Sequence, residues 1–363
     1  PTIGETTGTY STKSTKTENM HSDTITLYKK YRSGKRRFIL ITFLLLTLLC
    51  FIALMTGSHS IGYEEILQLI QGKGMELTRQ IIFNIRLPRI IGATLTGALL
   101  SLSGAVMQIV LRNPLASPYT LGISNAAACG AACGIVFSGY APFSLITPYS
   151  ITLSAFVGSL IGLTIILFII RLKQASVETI VLSGIIINAL FGAGIAVIQY
   201  LADNVQLASI VFWNFGDLGR SDWNKLISLS IVTLPAIVYF YLKRWDYKAL
   251  SAGDDYAKSI GVSPQHTRII SMVITSLCTA VAVSFFGVIA FVGLVVPHIV
   301  QKFTGANEEF LILGSATFGS MFLLFCDTVA RAIIAPVILP VGILTSFIGV
   351  PLFLFLLIRK KTI

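Results

Sequence analysis

The chain has 363 residues, of which 54% are hydrophobic and 12% charged, with a formal net charge of +11. Soluble proteins carry about 25% charged residues, so ordinary soluble domains are excluded and one α-helical membrane bundle is expected. The positive balance does not point to nucleic acid, because the basic residues sit at the ends of apolar segments and not along one polar face.

Residues 1–37 read as a disordered, cytoplasmic amino-terminal tail, rich in Thr and Ser as far as Asn19 and basic from Lys29 to Arg37, with Met20 as a fitting native start. Residues 38–363 read as the transmembrane domain. Its first apolar stretch, Phe38–Gly57, is about 20 residues long, enough to cross a roughly 30 Å hydrocarbon core as a helix. It is too long for a signal peptide and no small-residue cleavage site follows, so it is expected to stay as an anchor.

Hydropathy and breakers then place ten helices, near 38–57, 88–111, 119–139, 149–170, 177–201, 226–242, 266–286, 291–303, 308–331 and 340–358. The eighth is short and interrupted by Pro297. With the amino terminus inside, 20 of the 27 Lys and Arg residues fall on the inner side, as the positive-inside rule demands. An even number of spans returns the basic carboxyl terminus to the same side, so both termini are expected in the cytoplasm. The outward exceptions are Lys73, Arg79, Arg86, Arg89, Arg220, Lys225 and Arg331.

Glycines recur at helix-packing spacing: Gly92, Gly97 and Gly104; Gly130 and Gly134; Gly184, Gly192 and Gly194. Helices in lipid gain little from hydrophobic association, so small residues that let backbones approach are expected to hold the bundle together. Of the five cysteines, Cys129 and Cys133 share a helix face. Small-residue packing beside Gly130 and Gly134 is the expected role there, with metal binding the alternative.

Nucleotide chemistry is not expected, because G-x-x-x-x-G-K-[ST] is lacking; Gly34-Lys35 has neither the upstream glycine nor the following hydroxyl. H-E-x-x-H and C-x-x-C are lacking too, and His21, His59, His266 and His298 have no ligand spacing. No cofactor, resident metal or catalytic residue is expected. Carboxylates within spans are scarce: Asp327 lies near an outer helix end and Glu178 near an inner one. An ion-coupled carrier places ionisable groups near mid-membrane, so that alternative is disfavoured.

Three stretches resemble the FecCD-type permeases, which import iron–siderophores, haem and vitamin B12 with a binding protein and a separate ATPase. The first is Arg86-Leu-Pro-Arg89, then Gln108, Asn113-Pro-Leu-Ala116 and Leu121-Gly-Ile-Ser124. The second is Gly287-Val-Ile-Ala-Phe-Val-Gly-Leu-Val-Val-Pro-His298. The third is Asp327-Thr-Val-Ala-Arg331 with Leu339-Pro-Val-Gly342 and Ile348-Gly-Val-Pro351. Together they run from roughly residue 60 to the carboxyl terminus in family order.

The resemblance implies ten helices per subunit in a bacterial cytoplasmic membrane. It also implies a second permease subunit, with a sister chain favoured over a second copy, an ATPase dimer beneath and an extracytoplasmic binding protein above. The cargo it implies first is an iron(III)–siderophore, with haem and cobalamin as alternatives. Arg86, Arg89 and Arg331 match the family's docking arginines, against a reading as snorkelling anchors; Asp327 is spaced i,i+4 from Arg331 to orient it.

The loop 243–268 resembles the family's cytoplasmic coupling helix, through Gly253, Asp254, Tyr256, Ala257, Ile260 and Gly261, with Asp254 where the family usually has Glu. A short helix offering Leu250, Tyr256, Ala257 and Ile260 suits a groove in the ATPase; a solvated loop is the alternative. Asn113, Pro114 and Leu115 match part of the family's inner gate, against a plain structural turn. Pro114 stops the helix, and broken backbone is tolerated only beside water or inside protein. Three further residues depart from the family. Val177 and Glu178 stand where the vitamin B12 permease has small hydroxyl residues, and Ile338 stands where the family has Glu.

Overall fold

The computed structural model describes residues 11–57, 61–72, 75–138, 149–173, 177–305 and 307–359, and the only regular structure among them is helical. The ten expected helices are all present. They are α1 (Ser11–Met55), α4 (Leu87–Val110), α5 (Ile123–Phe137), α6 (Ser150–Lys173), α7 (Val177–Leu201), α9 (Trp223–Leu242), α12 (Pro264–Phe286), α13 (Val292–Thr304), α14 (Glu308–Ala332) and α15 (Val341–Arg359). Between them lie five short helices: α2 (Tyr63–Ile70), α3 (Glu76–Gln80), α8 (Asn204–Asn214), α10 (Arg244–Ala252) and α11 (Asp254–Ser259). Seven helices among the described residues are long and apolar enough to cross a membrane, while α5 and the apolar part of α15, Val341–Leu356, are shorter. At 13 residues α13 is shorter still.

Residues 11–37, expected as a disordered tail, differ from that expectation: their backbone is helical and continuous with the first span. Propagating an existing helix adds one bond per residue fixed, whereas starting one is costly. No proline interrupts this stretch, so the span extends into its basic flank. Pro1–Tyr10, Lys73 and Lys360–Lys361 lie outside the described residues, as does the last position expected of the third helix.

The second span also begins earlier than expected, at Glu76. Pro88 lacks the N–H that would bond four residues back, which ordinarily ends a helix. Here a π-helical turn over Ile81–Arg86 precedes it and absorbs the mismatch, so α3 runs on into α4. α8 was not expected; Asp203 starts it with a capping box. The Asp203 carboxylate accepts from Val205 N at 2.9 Å and Gln206 N at 2.8 Å, while Gln206 Oε1 accepts from Asp203 N at 3.2 Å.

α4 is the centre of the bundle, buried along most of its length and packed against α9, α12, α13 and α14. The glycines explain how closely its neighbours come. A Cβ on Gly97 would overlap the Gly319 carbonyl of α14, and one on Gly104 would overlap the Gly293 backbone of α13. Gly130 on α5 faces Ser154 and Gly158 on α6 in the same manner. Cys129 Sγ lies 3.1 Å from where a side chain on Gly194 of α7 would begin, in keeping with the packing role.

Large apolar side chains remain outside: Leu44, Leu48 and Phe51 on α1, and Ile185, Ile186 and Leu190 on α7 are all exposed. A soluble chain rarely leaves apolar surface this extensive. In a bilayer these faces meet lipid or a neighbouring subunit.

Candidate functional site

The three motif stretches meet where α4, α13 and α15 pack together. Gln108 Nε2 donates to the Leu294 carbonyl at 3.2 Å, and a Cβ on Gly349 would press on the Phe291 side chain at 2.6 Å. Phe291 has φ 66, and Gly287 before it has φ 78, so the chain turns sharply between α12 and α13.

The end of the bundle where α4 begins holds Arg86, Arg89 and Arg331. These side chains are brought together, but inside the protein: the residues are 4%, 6% and 5% exposed, and Asp327 is 0% exposed. Arg89 Nε donates to Asp327 Oδ1 at 2.9 Å and Arg89 Nη2 lies 2.8 Å from the same oxygen. Arg331 Nε donates to Asp327 Oδ2 at 3.1 Å, the pair expected from the i,i+4 spacing. Arg331 Nη1 also donates to Thr56 O at 2.7 Å, and Arg86 Nη1 to Leu54 O. The orphan carbonyls at the end of α1 are thereby satisfied, where cations are favoured. One carboxylate and two guanidinium groups thus staple α1, α4 and α14. The snorkelling expectation fails, because the side chains turn into the bundle and not outward.

The flank of this staple is open. A cleft of about 470 Å³ is lined by Asn84, Arg89, Asp217, Arg220, Ile338 and Pro340 among others. Asp217 Oδ1 is 3.8 Å from Arg89 Nη2. Arg220 sits in the turn before α9, where burial pushes its guanidinium below the usual range and the charge of Asp217 opposes that.

At the other end, where α4 finishes, lie the expected gate and coupling residues. Arg112 takes φ 43, a left-handed conformation that is uncommon for a residue with a side chain. Asn113 follows, and its Oδ1 accepts from Leu115 N at 2.9 Å, a local turn that competes with helix. Asn113 is half-buried, while Pro114 and Leu115 are exposed. The loop then hooks onto α7: Asn188 Nδ2 donates to Thr120 O at 3.1 Å, and Gly184 leaves room for the Thr120 carbonyl.

The segment expected to couple is two helices, α10 and α11, joined at Gly253, whose φ 133 and ψ 151 suit glycine alone. Space is not the reason, since nothing lies within 4 Å of a Cβ there, nor at Gly261 with φ 83. Tyr256 and Ile260 are both 54% exposed, as a partner-facing surface requires, but Leu250 and Ala257 are both 0% exposed. Those two pack into the protein and are not offered outward, because short amphipathic helices on a bundle surface must bury one face.

α10 is anchored by Tyr247, whose hydroxyl pairs with Ser271 Oγ at 3.0 Å, and by Ser251, whose Oγ donates to Glu308 Oε1 at 2.7 Å. Asp254 opens α11 between two arginines. Arg268 Nη2 donates to it at 3.1 and 3.3 Å, and Arg112 Nη2 pairs with the same carboxylate. Burial raises the Asp254 pKa, but the hydrogen bond from Arg268 and the charges of Arg268 and Arg112 outweigh it, leaving the carboxyl below its ordinary range. Arg268 Nε also donates to Val110 O at 2.8 Å, on the last turn of α4. A cavity of about 710 Å³ separates this cluster from Val177 and Ile180 of α7; Glu178 stands exposed beside it.

Arg112, Arg268, Ser251 and Glu308 were missed by sequence reasoning. Each reads locally as a polar residue at a helix end, and only the fold brings them to the coupling segment. Among the described residues no group of three His, Cys, Asp or Glu side chains is placed to hold a metal ion.

The arrangement is that of a membrane bundle with one stapled end and one end carrying a hinged appendage. The chain belongs to the FecCD transport family, which matches residues 45–359. It is a multi-pass permease of the ABC importer type. A protein of Methanocaldococcus jannaschii, assigned by inference as an ABC transporter permease, is 46% identical over 338 residues, covering 92% of this chain and 97% of that one. The hemin transport system permease protein of Yersinia pestis is 39% identical over 284 residues, 77% of this chain and 84% of its own. A solved structure, described as an inward-facing conformation of an ABC transporter inferred to be of metal-chelate type, superposes with a TM-score of 0.77 at 30% identity, covering 90% of this chain and 99% of that one.

Proposed function

We propose that this chain translocates an iron(III)–siderophore across a bacterial cytoplasmic membrane, driven by a separate ATPase dimer and fed by an extracytoplasmic siderophore-binding protein. The observation that carries this reading is the likeness, over nine-tenths of the chain, to a transporter of inferred metal-chelate type. Both termini face the cytoplasm, in accord with 20 of 27 basic residues falling on that side. Gly253–Gly261 meets the ATPase through Tyr256 and Ile260, and Asn113, Pro114 and Leu115 form part of the inner gate. The pathway is completed by a second permease, a sister chain in preference to a second copy, against the exposed apolar faces.

Docking of the binding protein belongs at the end where α4 begins. Arg86, Arg89, Arg220 and Arg331 outnumber Asp217 and Asp327 at this end, and the charge surplus attracts acidic side chains. Access runs through the cleft beside Arg89, so Arg220 shares the role. Arg86→Glu with Arg89→Glu is expected to weaken docking and uptake.

Reconstituted vesicles test the whole reading. With ATPase and binding protein present, ATP is expected to drive uptake of a labelled ferric siderophore in preference to hemin or cobalamin. Uptake by the permease alone under an ion gradient would overturn it, as would a preference for hemin or cobalamin over every siderophore tried.

A further inference from the structure

The carboxylate of Asp254 lies where the coupling segment, the gate loop and two long helices meet. Arg112, the residue preceding Asn113 of the gate loop, pairs with it, and Arg268 joins it to the start of α12. Arg268 simultaneously holds Val110 O at 2.8 Å, so the end of α4 is tied in twice. From Arg112 the loop continues to Thr120, which Asn188 of α7 holds at 3.1 Å. These contacts form an unbroken chain from α11 to the gate loop and on to α7.

The two halves of the coupling segment are held differently. α10 has a buried face with Tyr247 and Leu250 and hydrogen bonds to Ser271 and Glu308. α11 has six residues, one of them buried, and is joined to α10 through Gly253 at φ 133 with open space around it. Tyr256 on α11 and Ile260 at its end are both 54% exposed. A partner pushing on those two side chains therefore turns α11 about Gly253 while α10 stays fixed. Asp254, the first residue beyond the hinge, must move with α11 and carry its two arginines along.

We propose that Asp254 is the positioning residue that converts movement of α11 into movement of the gate loop, acting through Arg112 and Arg268. The inference rests on the reading of α11 as the ATPase-facing element. Its converse is a purely local role, in which Asp254 stabilises the first turn of α11 and the gate moves without it. The Arg112 pair is half-exposed, with side-chain exposures of 41% for Arg112 and 40% for Asp254, while Arg268 on the other side of the carboxylate is 13% exposed. A pair as exposed as that of Arg112 contributes little to stability, which leaves direction of movement as its use. Arg112 supports this, because its left-handed backbone spends strain to aim the side chain at α11.

The test uses the full transporter in vesicles, with partner permease, ATPase and binding protein. Leu115→Cys places a thiol on the exposed gate residue, and a membrane-impermeant maleimide reports its accessibility against the unaltered chain as background. The accessibility is compared between nucleotide-free and vanadate-trapped complexes, per molecule of co-purified ATPase. The thiol is expected to change reactivity between the two states. Adding Asp254→Asn is expected to reduce that change at least about fivefold, the lower end of ordinary coupling between sites. Asp254→Glu is expected to restore it, and Arg112→Gln to mirror Asp254→Asn.

An unchanged response in Asp254→Asn would overturn the proposal, as would a gate thiol that never responds to nucleotide in the unaltered background. Loss of the ATPase from the Asp254→Asn complex would make the residue a docking contact and overturn it as well. The underlying reading fails separately: Tyr256→Asp with Ile260→Asp is expected to abolish ATPase co-purification, and retention would sink the identification of α11 whatever Asp254 does.

Discussion

Replacing Asp327 by asparagine removes the carboxylate that Arg89 and Arg331 share. The residue is 0% exposed and its partners 6% and 5%, so neither guanidinium can turn to water without opening the bundle. Breaking a buried pair by deleting one partner costs about 3–5 kcal/mol, because an uncompensated charge stays behind. The Asn oxygen can still accept one of the bonds now at 2.8–3.1 Å, which places Asp327→Asn toward the lower figure and Asp327→Ala toward the upper. Thermal unfolding in detergent should register the change as a fall of several degrees. The control is Asp327→Asn with Arg331→Gln, which removes one positive charge along with the negative one. It should recover part of the loss, as coupled groups do in a double-mutant cycle. A single mutant destabilised by less than about 1 kcal/mol, the range of exposed pairs, would refute the staple.

Further substitutions probe the other joints. Gly97→Leu drives a side chain into the Gly319 carbonyl of α14 and should cut the yield of monodisperse protein on gel filtration; unchanged yield would mean the two helices are not in contact. Gly253→Ala forces a Cβ onto φ 133, a cost of roughly 1–3 kcal/mol confined to the hinge, so uptake should fall while the melting temperature of the bundle holds. Tyr247→Phe deletes the 3.0 Å bond to Ser271 Oγ and should cost about 1 kcal/mol in the same melt. Finally, the Asp254 carboxyl lies below its ordinary range. A depressed pKa means its pairing is fully present above the unfolded value and lost only as pH falls through the folded one. Gate response to nucleotide should therefore be flat from neutral pH down to the ordinary carboxylate range; loss of response near pH 6 would contradict the Asp254 pairing.

The helices were legible because lipid imposes length and apolarity on each span separately, and neither needs knowledge of neighbours. Glycine packing was legible for the same reason: Gly97, Gly104 and Gly130 sit where their spacing placed them, on contacting helix faces. What failed needed tertiary information. Arg86, Arg89 and Arg331 read as outward-facing from their place at helix ends. Whether such a side chain turns out or in depends on the carbonyls of Leu54 and Thr56 and, for Arg89, on Asp327, all far away in sequence; only the Arg331–Asp327 pair is local. Leu250 and Ala257 failed likewise, since a short amphipathic helix does not reveal which apolar residues its own protein claims. The early start of the second span was hidden by Pro88, whose rule assumes an α-helix and not the π-helical turn found before it.

The joints distribute stiffness along α4 unevenly, and that has a mechanical consequence. Asp327 clamps its beginning to α14, and Gly97 against Gly319 closes the same pair further along. Two well-separated points of close contact make α4 and α14 one rigid body. Packed interfaces of this kind shift as units and do not deform continuously. At its far end α4 has Arg112 in a strained turn and Arg268 holding Val110 O, so force arriving there meets a lever and not a flexible strand. The staple end, stiff and buried, then acts as the pivot. Under the proposed role of Asp254, a small displacement there is delivered to the loop at Asn113–Leu115, and the end with the cleft beside Arg89 turns with the same body. Coupling between the two faces of the membrane thus needs no long relay of side chains, only a pair of helices welded at one end and gripped at the other.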